Sequence, residues 1–198
     1  MAVQLMTQQW QRLKSRLLDD SLSPPGQYPR QASVLALFTR QPEPALLFTL
    51  RSRHLTSHAG EVSFPGGKWE PGDLTLRDTA LRETREEIGL AAECITLLGA
   101  CKPRATRAGV LVTPFVGLID HANDLCPCPF ELDAIFQVPL MEFHRGIQVR
   151  IDSIPRGNRI YQVPAYQYQG YEIWGFTASL TCELLAMLQA QPVSSEMV

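Results

Sequence analysis

The chain has 198 residues, which is enough for one domain with a full hydrophobic core and leaves little for a second. Apolar residues make up 45% and charged residues 19%, so the composition excludes an intrinsically disordered protein. The formal net charge of −2 excludes a general electrostatic attraction to nucleic acid or to an anionic membrane. An anionic ligand must therefore be met by a local cluster of bases.

The cysteines and the N-terminus bear on the cellular compartment. Five cysteines occur without a Cys-x-x-Cys pair or a partnering His-x3-His, which argues against both a disulfide framework and a zinc site. The first residues lack the apolar core of a signal peptide, and the chain contains no apolar run of about 18 residues. We expect a cytoplasmic protein with no nucleic-acid or membrane partner, and both a monomer and a homodimer remain open.

The N-terminal segment predicts an amphipathic helix over residues 3–19, which the run Ser23–Gly26 then breaks. Its apolar residues at helical spacing are Met6, Trp10, Leu13 and Leu17. We predict an N-terminal helix and linker over residues 1–26, packed as an appendage on a main domain over residues 27–190. Residues 191–198 are predicted to form a C-terminal tail.

Short β-prone runs follow from Ala32 onward. The run Val110–Ile119 is apolar on both faces, as expected of a strand that is covered on both sides. Strands are predicted at Ala32–Thr39, Ala45–Leu50, Cys94–Cys101, Val110–Ile119, Ile147–Ile154 and Tyr166–Trp174, with another in LDAIFQVPL and a closing helix around Leu180, Leu184, Met187 and Leu188. The interleaving predicts an α/β or α+β class with a mixed sheet between helices.

A helix with two well-marked ends is predicted from Leu76 to Ile88. Thr75 and Asp78 have the spacing of a capping box, in which two side chains satisfy the first backbone N–H groups. Gly89 suits the left-handed residue that commonly ends a helix. This helix follows a Pro-Gly-Gly segment that we interpret as a turn.

Three acids lie together on this helix. At about 100° per residue, Glu83, Glu86 and Glu87 share an arc at the edge of the buried face. Their like charges destabilise an isolated helix by a few tenths of a kcal/mol per pair, and a hard cation such as magnesium or manganese offsets this repulsion. The alternative is a solvated acidic face, in which Arg82, four residues before Glu86, pairs with the acids.

The segment RETREEIGL, preceded by two glycines, resembles the Nudix box, whose pattern is G-x5-E-x7-R-E-U-x-E-E-x-G-U with U an aliphatic residue. Two features depart from that pattern. Asp73 replaces the first glutamate, with eight residues instead of seven before Arg82, and Thr84 occupies an aliphatic position. The matching residues are Gly67, Arg82, Glu83, Glu86, Glu87, Gly89 and Leu90. The resemblance implies the α/β/α sandwich of the Nudix fold.

Within that family, the chain most resembles a subgroup that hydrolyses coenzyme A, in which the longer spacing recurs. The subgroup has an upstream signature, L-L-T-x-R-[SA]-x3-R-x3-G-x3-F-P-G-G. Phe48 takes the second position here, and Thr56 stands where the second arginine belongs. The matching residues are Leu47, Thr49, Arg51, Ser52, Gly60, Phe64, Pro65, Gly66 and Gly67.

The resemblance implies attack of water on a diphosphate phosphorus, assisted by Mg²⁺ or Mn²⁺. Glu83 and Glu87 are the first choice as metal ligands, and Glu86 is either a third ligand or a base that orients the water. Arg82 is expected to hold the Glu86 carboxylate in place. Glu131 is a second candidate base from a later loop, and an exposed loop acid without a catalytic role is the alternative.

A small-molecule nucleotide is the implied substrate. Gly66 and Gly67 would let the backbone approach its diphosphate closely, although a simple tight turn explains two glycines equally well. Arg51 and Lys68 are the candidate cations that meet the phosphates. A basic loop offers three more candidates, Lys102, Arg104 and Arg107, for which a purely solvating role is the alternative.

Three functions remain open. The leading hypothesis is hydrolysis of coenzyme A to adenosine 3′,5′-bisphosphate and 4′-phosphopantetheine. The second is the same reaction on ADP-ribose, a dinucleotide or a nucleoside triphosphate, which Thr56 keeps open because the subgroup has an arginine there. The third is a catalytically silent Nudix fold that binds a nucleotide or a protein, and its usual sign, loss of a helix glutamate, does not occur in this sequence.

Overall fold

A mixed β-sheet with helices on both faces forms the centre of the computed structural model, which describes residues 2–19, 28, 30–106, 108–156 and 159–189. The helices are α1 (Ala2–Arg16), α2 (Leu76–Ile88), α3 (Leu140–Arg145) and α4 (Gly175–Gln189), and a 3-10 turn spans Ala92–Cys94. The strands are β1 (Gln31–Thr39), β2 (Ala45–Arg51), β3 (Val62–Ser63), β4 (Gly66–Lys68), β5 (Thr96–Ala100), β6 (Arg104–Ala105), β7 (Leu111–Ile119), β8 (Leu132–Pro139), β9 (Gln148–Arg156), β10 (Arg159–Tyr168) and β11 (Tyr171–Ile173).

The central sheet has the order β3-β2-β1-β7-β5, and β4, β6 and β8 pair with β1, β7 and β2 respectively. Strands β1 and β7 run parallel, whereas the other pairs are antiparallel. A smaller antiparallel sheet has the order β11-β10-β9. The two parallel strands are buried along almost their whole length, as the sequence predicts for the strand in Val110–Ile119.

Two hydrophobic clusters lie on opposite faces of the central sheet because successive side chains of a strand point to opposite sides. Leu35 and Leu37 of β1 pack in the cluster that contains the buried face of α2. Ala36 and Phe38 pack in the other cluster, with residues of α1 and α4. The result is the predicted α/β/α sandwich, in which one face of the sheet supports the acidic helix.

Helix α1 contributes to the core. Leu13 is fully buried, and the rings of Trp10 and Phe38 lie 5.4 Å apart between their centroids. Arg16 Nη1 donates a hydrogen bond to the carbonyl oxygen of Met187 in α4, at 2.7 Å. The predicted N-terminal helix is therefore present, packed on the main domain as expected, and ends at residue 16 instead of 19.

The predicted strand Tyr166–Trp174 is wrong, because the chain reverses inside it. Strand β10 ends at Tyr168 and β11 begins at Tyr171, and these two residues pair across a hairpin. Gln169 and Gly170 have φ angles of 49° and 87°, the positive values that a two-residue hairpin turn requires. Aromatic residues lie on both sides of Gln169 and Gly170, so the spacing of apolar residues alone does not reveal the turn.

Other differences concern element boundaries. The strand predicted at Cys94–Cys101 begins at Thr96, because Ala92–Cys94 forms a 3-10 turn. The predicted linker Ser23–Gly26 and the tail over residues 191–198 lie outside the described residues, so the three predicted domain boundaries stay predictions. None of the described helices combines the length and the apolar character needed to span a membrane.

Candidate active site

Helix α2 has the ends that the sequence predicts. Asp78 N donates to Thr75 Oγ1 at 3.1 Å, and Thr75 N donates to Asp78 Oδ2 at 3.0 Å, which completes the capping box. At the other end, Gly89 adopts a left-handed conformation with φ of 71°, and its N–H donates to Arg85 O at 3.0 Å. These caps fix the residues at which the acidic helix begins and ends.

The three acids of α2 have different environments. The side chain of Glu86 is 55% exposed and that of Glu83 is 15% exposed, whereas Glu87 is only 1% exposed as a residue. Glu87 therefore lies deeper than the edge position predicted for all three acids. Its Oε2 accepts a hydrogen bond from Gly66 N at 3.0 Å, which connects the helix to β4.

Arg82 uses every donor of its guanidinium. Nε and Nη2 donate to the two carboxylate oxygens of Asp73 at 2.9 and 3.0 Å, and Nη2 also donates to Lys68 O at 3.1 Å. Nη1 donates to Glu83 and to Glu86, at 3.0 Å in each case. Five donors thus meet five acceptors, and Arg82 has none left for a substrate. Lys68, a candidate cation for the phosphates of the substrate, is exposed to solvent.

Asp73 positions Arg82, a role that the sequence analysis missed. Its Oδ2 also accepts hydrogen bonds from Thr79 Oγ1 at 2.8 Å and from Glu70 N at 3.1 Å. The hydrogen bond from Arg82 is the main reason that the pKa of Asp73 is lowered, against the opposing effect of burial. The signal in the sequence was its place in the motif, where the Nudix pattern has a glutamate.

Gly66 and Gly67 form a strand, so their interpretation as a tight turn is wrong. A Cβ on Gly66 would lie 2.2 Å from Ser33 O, and the φ of Gly66 is 148°, which L side chains rarely adopt. A Cβ on Gly67 would lie 2.4 Å from the carboxylate carbon of Glu83. These glycines let β4 lie close to β1 and leave room for the Glu83 carboxylate beside the backbone.

Arg51 and Glu87 form a longer ion pair, with Nη1 and Oε1 3.5 Å apart. The Nε of Arg51 is buried and has no hydrogen-bond partner among the described residues. Burial raises the pKa of Glu87 to about 8, and the negative charges of Glu83 and Glu131 add to this, whereas Gly66 N–H and Arg51 oppose it. Burial likewise raises the pKa of Glu83, and Arg82 opposes that shift.

The structure brings Glu131 to this acidic cluster. Its backbone oxygen accepts from Ser52 N at 2.8 Å, and its N–H donates to Cys128 O at 3.0 Å. Cys128 N in turn donates to Glu87 O at 2.8 Å, so the loop is held by both β2 and the end of α2. The charge of Glu131 acts on both Glu83 and Glu87, which distinguishes it from a remote loop acid.

The basic loop is not brought to the acids as a group. Arg104 forms an ion pair with Glu183 and donates to Ser179 Oγ at 3.2 Å, both in α4 and hence on the face of the sheet opposite α2. Lys102 is exposed, and Arg107 lies outside the described residues. Among the candidate bases that the structure describes, Arg51 is the one whose side chain pairs with a candidate metal-binding glutamate of α2.

The donor set fits a hard divalent cation. On α2, the carboxylate of Glu83 is repelled by Glu86 and itself repels the buried Glu87, and carboxylate oxygens are the ligands that Mg²⁺ and Mn²⁺ prefer. Across the described ranges, no three His, Cys, Asp or Glu side chains already converge on one point. Glu83 is instead held by Arg82 and Glu87 by Gly66 and Arg51, so a cation would compete with these partners.

The fold and the acidic helix define an α/β/α protein with the architecture of Nudix hydrolases. A family model described as the NUDIX domain matches residues 29–155, well over half of the chain. The chain therefore belongs to the Nudix family. This confirms the resemblance at the level of the family, and with it the prediction of a Nudix pyrophosphohydrolase, whereas the coenzyme A subgroup remains a prediction.

Relatives at higher identity carry the same family name. The chain is 39% identical over 160 residues to "Uncharacterized Nudix hydrolase NudL" of Photorhabdus laumondii, covering 81% of this chain and 86% of the relative. It is 40% identical over 164 residues to the protein of that name from Klebsiella pneumoniae, covering 82% and 85%. A solved MutT/nudix family protein from Enterococcus faecalis superposes with a TM-score of 0.52 at 15% identity, covering 82% of this chain and 62% of that one, and shows the fold.

Proposed function

We propose that this protein hydrolyses the diphosphate linkage of coenzyme A with Mg²⁺ or Mn²⁺, giving adenosine 3′,5′-bisphosphate and 4′-phosphopantetheine. The observation that carries the proposal is the buried carboxylate of Glu87, which lies between Gly66 N–H and Arg51 while the charges of Glu83 and Glu131 act on it. Burying an acid among other acids is unfavourable for stability and is typical of a functional site.

Glu83, Glu87 and Glu86 are the residues that would hold the cation. When bound, the cation would neutralise charge on the phosphate oxygens and make the phosphorus a better electrophile. Gly67 leaves the space beside the backbone in which the Glu83 carboxylate lies. Arg82 positions the carboxylates of Glu83 and Glu86 through its Nη1.

Glu131 is the proposed general base. Its backbone is held by hydrogen bonds at both its N–H and its carbonyl oxygen, which limits the entropy lost when the carboxylate meets the water. It would accept the proton of the attacking water as the water oxygen bonds to phosphorus and the bridging P–O bond breaks. Glu86 is the alternative base, since its side chain is the most exposed of the helix acids.

The choice of coenzyme A is supported by where the upstream signature lies. Gly60 N donates to Arg51 O at 3.1 Å, and Arg51 N donates to Glu61 O at 3.0 Å. Both ends of the loop over residues 52–60 therefore lie beside Arg51. The signature thus places this loop next to the arginine whose guanidinium pairs with Glu87 of the acidic helix.

A second substrate class has a specific observation in its favour. Thr56 is an exposed loop residue at the place where the coenzyme A subgroup has an arginine. Without that charge, discrimination for the 3′-phosphate of coenzyme A is weakened, and ADP-ribose, dinucleotides or nucleoside triphosphates are the competing substrates. A silent fold that only binds nucleotide or protein is disfavoured because all three helix glutamates are present.

The test is a panel assay on purified protein. Coenzyme A, 3′-dephospho-coenzyme A, ADP-ribose, a dinucleoside polyphosphate and ATP are each incubated with Mg²⁺ or Mn²⁺, and products are identified by mass spectrometry. We expect 4′-phosphopantetheine from coenzyme A, with the highest kcat/KM of the panel. Much faster cleavage of another diphosphate would reject coenzyme A, and no cleavage of any substrate would favour the silent fold.

A further inference from the structure

The two arginines at the acidic helix differ in how their donors are used. All five N–H groups of Arg82 are engaged by carboxylates and one backbone carbonyl. Arg51 makes one carboxylate contact, to Glu87 at 3.5 Å, and its buried Nε has no hydrogen-bond partner in the described part of the chain. Arg51 therefore retains donors that can bind a second anion in the forked geometry that phosphates accept.

The 3.5 Å ion pair with Arg51 is what balances the charge of ionised Glu87. Its side chain is 2% exposed, and its one neutral donor, Gly66 N, cannot balance a full negative charge. The ionised form of this buried carboxylate is strongly unfavourable without a cation, so Arg51 serves as the counter-ion of ionised Glu87 as long as no other positive charge is present. A divalent cation at the same carboxylate would remove that need.

We propose that Arg51 is the counter-ion of Glu87 in the metal-free protein and transfers to a phosphate group of the substrate once a divalent cation neutralises Glu87. The proposal rests on the proposed function, because it takes Glu87 as a metal ligand. The side chain of Arg51 is 23% exposed, so it is partly accessible from the solvent from which a nucleotide arrives. Repulsion between the cation and Arg51 drives the transfer.

Two opposite consequences follow for one residue. Arg51 competes with the metal for Glu87, and therefore weakens metal binding when no nucleotide is present. The same residue strengthens nucleotide binding once the metal is in place. If Arg51 had only a structural role, its substitution would not strengthen metal binding while weakening nucleotide binding. Measuring both affinities therefore distinguishes the proposal from a packing role.

The first measurement is calorimetric titration with Mn²⁺ alone. Arg51→Met removes the charge but keeps much of the apolar stem, and we expect it to bind Mn²⁺ roughly tenfold more tightly than wild type. Arg85→Met is the matched control, since Arg85 is exposed on the same helix two residues before Glu87. The control is expected to stay within about twofold of wild type. Equal or weaker Mn²⁺ binding by Arg51→Met would overturn the competition.

The second measurement is titration with ADP at saturating Mn²⁺. Loss of a charge-assisted hydrogen bond predicts roughly 10- to 150-fold weaker ADP binding by Arg51→Met, and little change for Arg85→Met. Unchanged ADP affinity would overturn the transfer to phosphate. Neither titration needs turnover, so failure to cleave coenzyme A would reject the proposed substrate without affecting these results.

A spectroscopic measurement on the wild-type protein covers the case in which Arg51→Met does not fold. The side-chain Nε–H resonance of Arg51 is followed by NMR, with its assignment taken from the milder Arg51→Lys variant, in which it disappears. We expect this resonance to shift on addition of Mg²⁺ and to shift again on addition of ADP. A resonance that is unchanged by Mg²⁺ would show that Arg51 does not leave Glu87.

Discussion

Asp73 and Arg82 form a two-point ion pair, with Nε to Oδ1 at 2.9 Å and Nη2 to Oδ2 at 3.0 Å. The pair forms although the motif has one residue more than the Nudix pattern and an acid that is one methylene shorter. Through Nη1, the same guanidinium then holds the carboxylates of Glu83 and Glu86. Despite the departure from the pattern at position 73, Arg82 keeps a carboxylate partner and positions the two glutamates.

Asp73→Asn is expected to lower the free energy of unfolding by about 1–3 kcal/mol at neutral pH, because it leaves Arg82 without its buried partner. The pKa of Asp73 is lowered in the folded state, so its contribution is present above the ordinary value of 3.8 and is lost as pH falls through the folded-state pKa. Urea unfolding should therefore show a smaller difference between variant and wild type at pH 3 than at pH 7.

Asp120→Asn is the control for that measurement, since Asp120 pairs with Arg40 on the surface and its side chain is 77% exposed. We expect a change within about 0.5 kcal/mol there. Equal losses in the free energy of unfolding of both variants would show that burial of the Asp73–Arg82 pair does not contribute to stability.

Glu83→Gln and Glu87→Gln should each lower kcat by orders of magnitude while leaving the fold intact, since each removes a proposed metal ligand with little change in shape. Glu93→Gln provides the control, because Glu93 is exposed in the 3-10 turn beyond α2. Circular dichroism and steady-state kinetics at saturating metal are the measurements. Wild-type turnover in both glutamine variants would remove these residues from the mechanism.

Local patterns predicted α2 correctly because its ends depend on short-range chemistry. Thr75, Asp78 and Gly89 cap the helix through hydrogen bonds within a few residues of each other. The depth of Glu87 was missed because it depends on β4, which contacts the helix only in three dimensions. The contact between Arg51 and Glu87 likewise joins residues that are far apart in the sequence, and no periodicity could reveal it.

The stability of the metal-free protein should depend on the titration of Glu87. Its folded-state pKa of about 8 lies above the ordinary value of 4.5, so the folded state binds the extra proton between these two values. Stability is therefore expected to fall as pH rises from about 4.5 to about 8, and to change little above that. Thermal unfolding in the presence of a chelator measures this fall, at about 2–4 °C for each kcal/mol.

Glu87→Gln should reduce that dependence on pH and should melt higher than wild type at pH 8.5, because the buried charge is removed. Added Mg²⁺ should stabilise wild type more at pH 8.5 than at pH 6, since the cation binds the ionised carboxylate. An identical pH dependence in wild type and in the variant would contradict the raised pKa.

A chelator should abolish activity without unfolding the protein, because the metal completes a site on a helix that is already capped and packed. The melting temperature is expected to fall only modestly on addition of EDTA, and activity should return with excess Mg²⁺. Loss of cooperative melting in EDTA would show that the metal is structural.

Discrimination between coenzyme A and its 3′-dephospho form is expected to depend on the loop over residues 52–60. Thr56 is exposed and replaces the arginine of the subgroup, while the backbone of Arg53 is held by a hydrogen bond from its N–H to Asp133 Oδ2 at 3.2 Å. If a phosphate of the substrate ordinarily meets that arginine, its loss costs about 1.5–3 kcal/mol, which is roughly a 10- to 150-fold loss in kcat/KM. We therefore expect weak discrimination against 3′-dephospho-coenzyme A.

Thr56→Arg is expected to raise the ratio of kcat/KM for coenzyme A over that for 3′-dephospho-coenzyme A by roughly 10- to 150-fold, because it restores a cation at the subgroup position. Arg53→Ala should abolish the preference that wild type retains, since Arg53 is the arginine nearest to Thr56 in the sequence and is exposed. Both substrates share the diphosphate, so the ratio cancels effects on the metal and on the acids of α2. If neither substitution alters the ratio, this loop does not bind the 3′-phosphate. If wild type cleaves ADP-ribose or a dinucleotide far faster than either substrate, only the broader Nudix assignment stands.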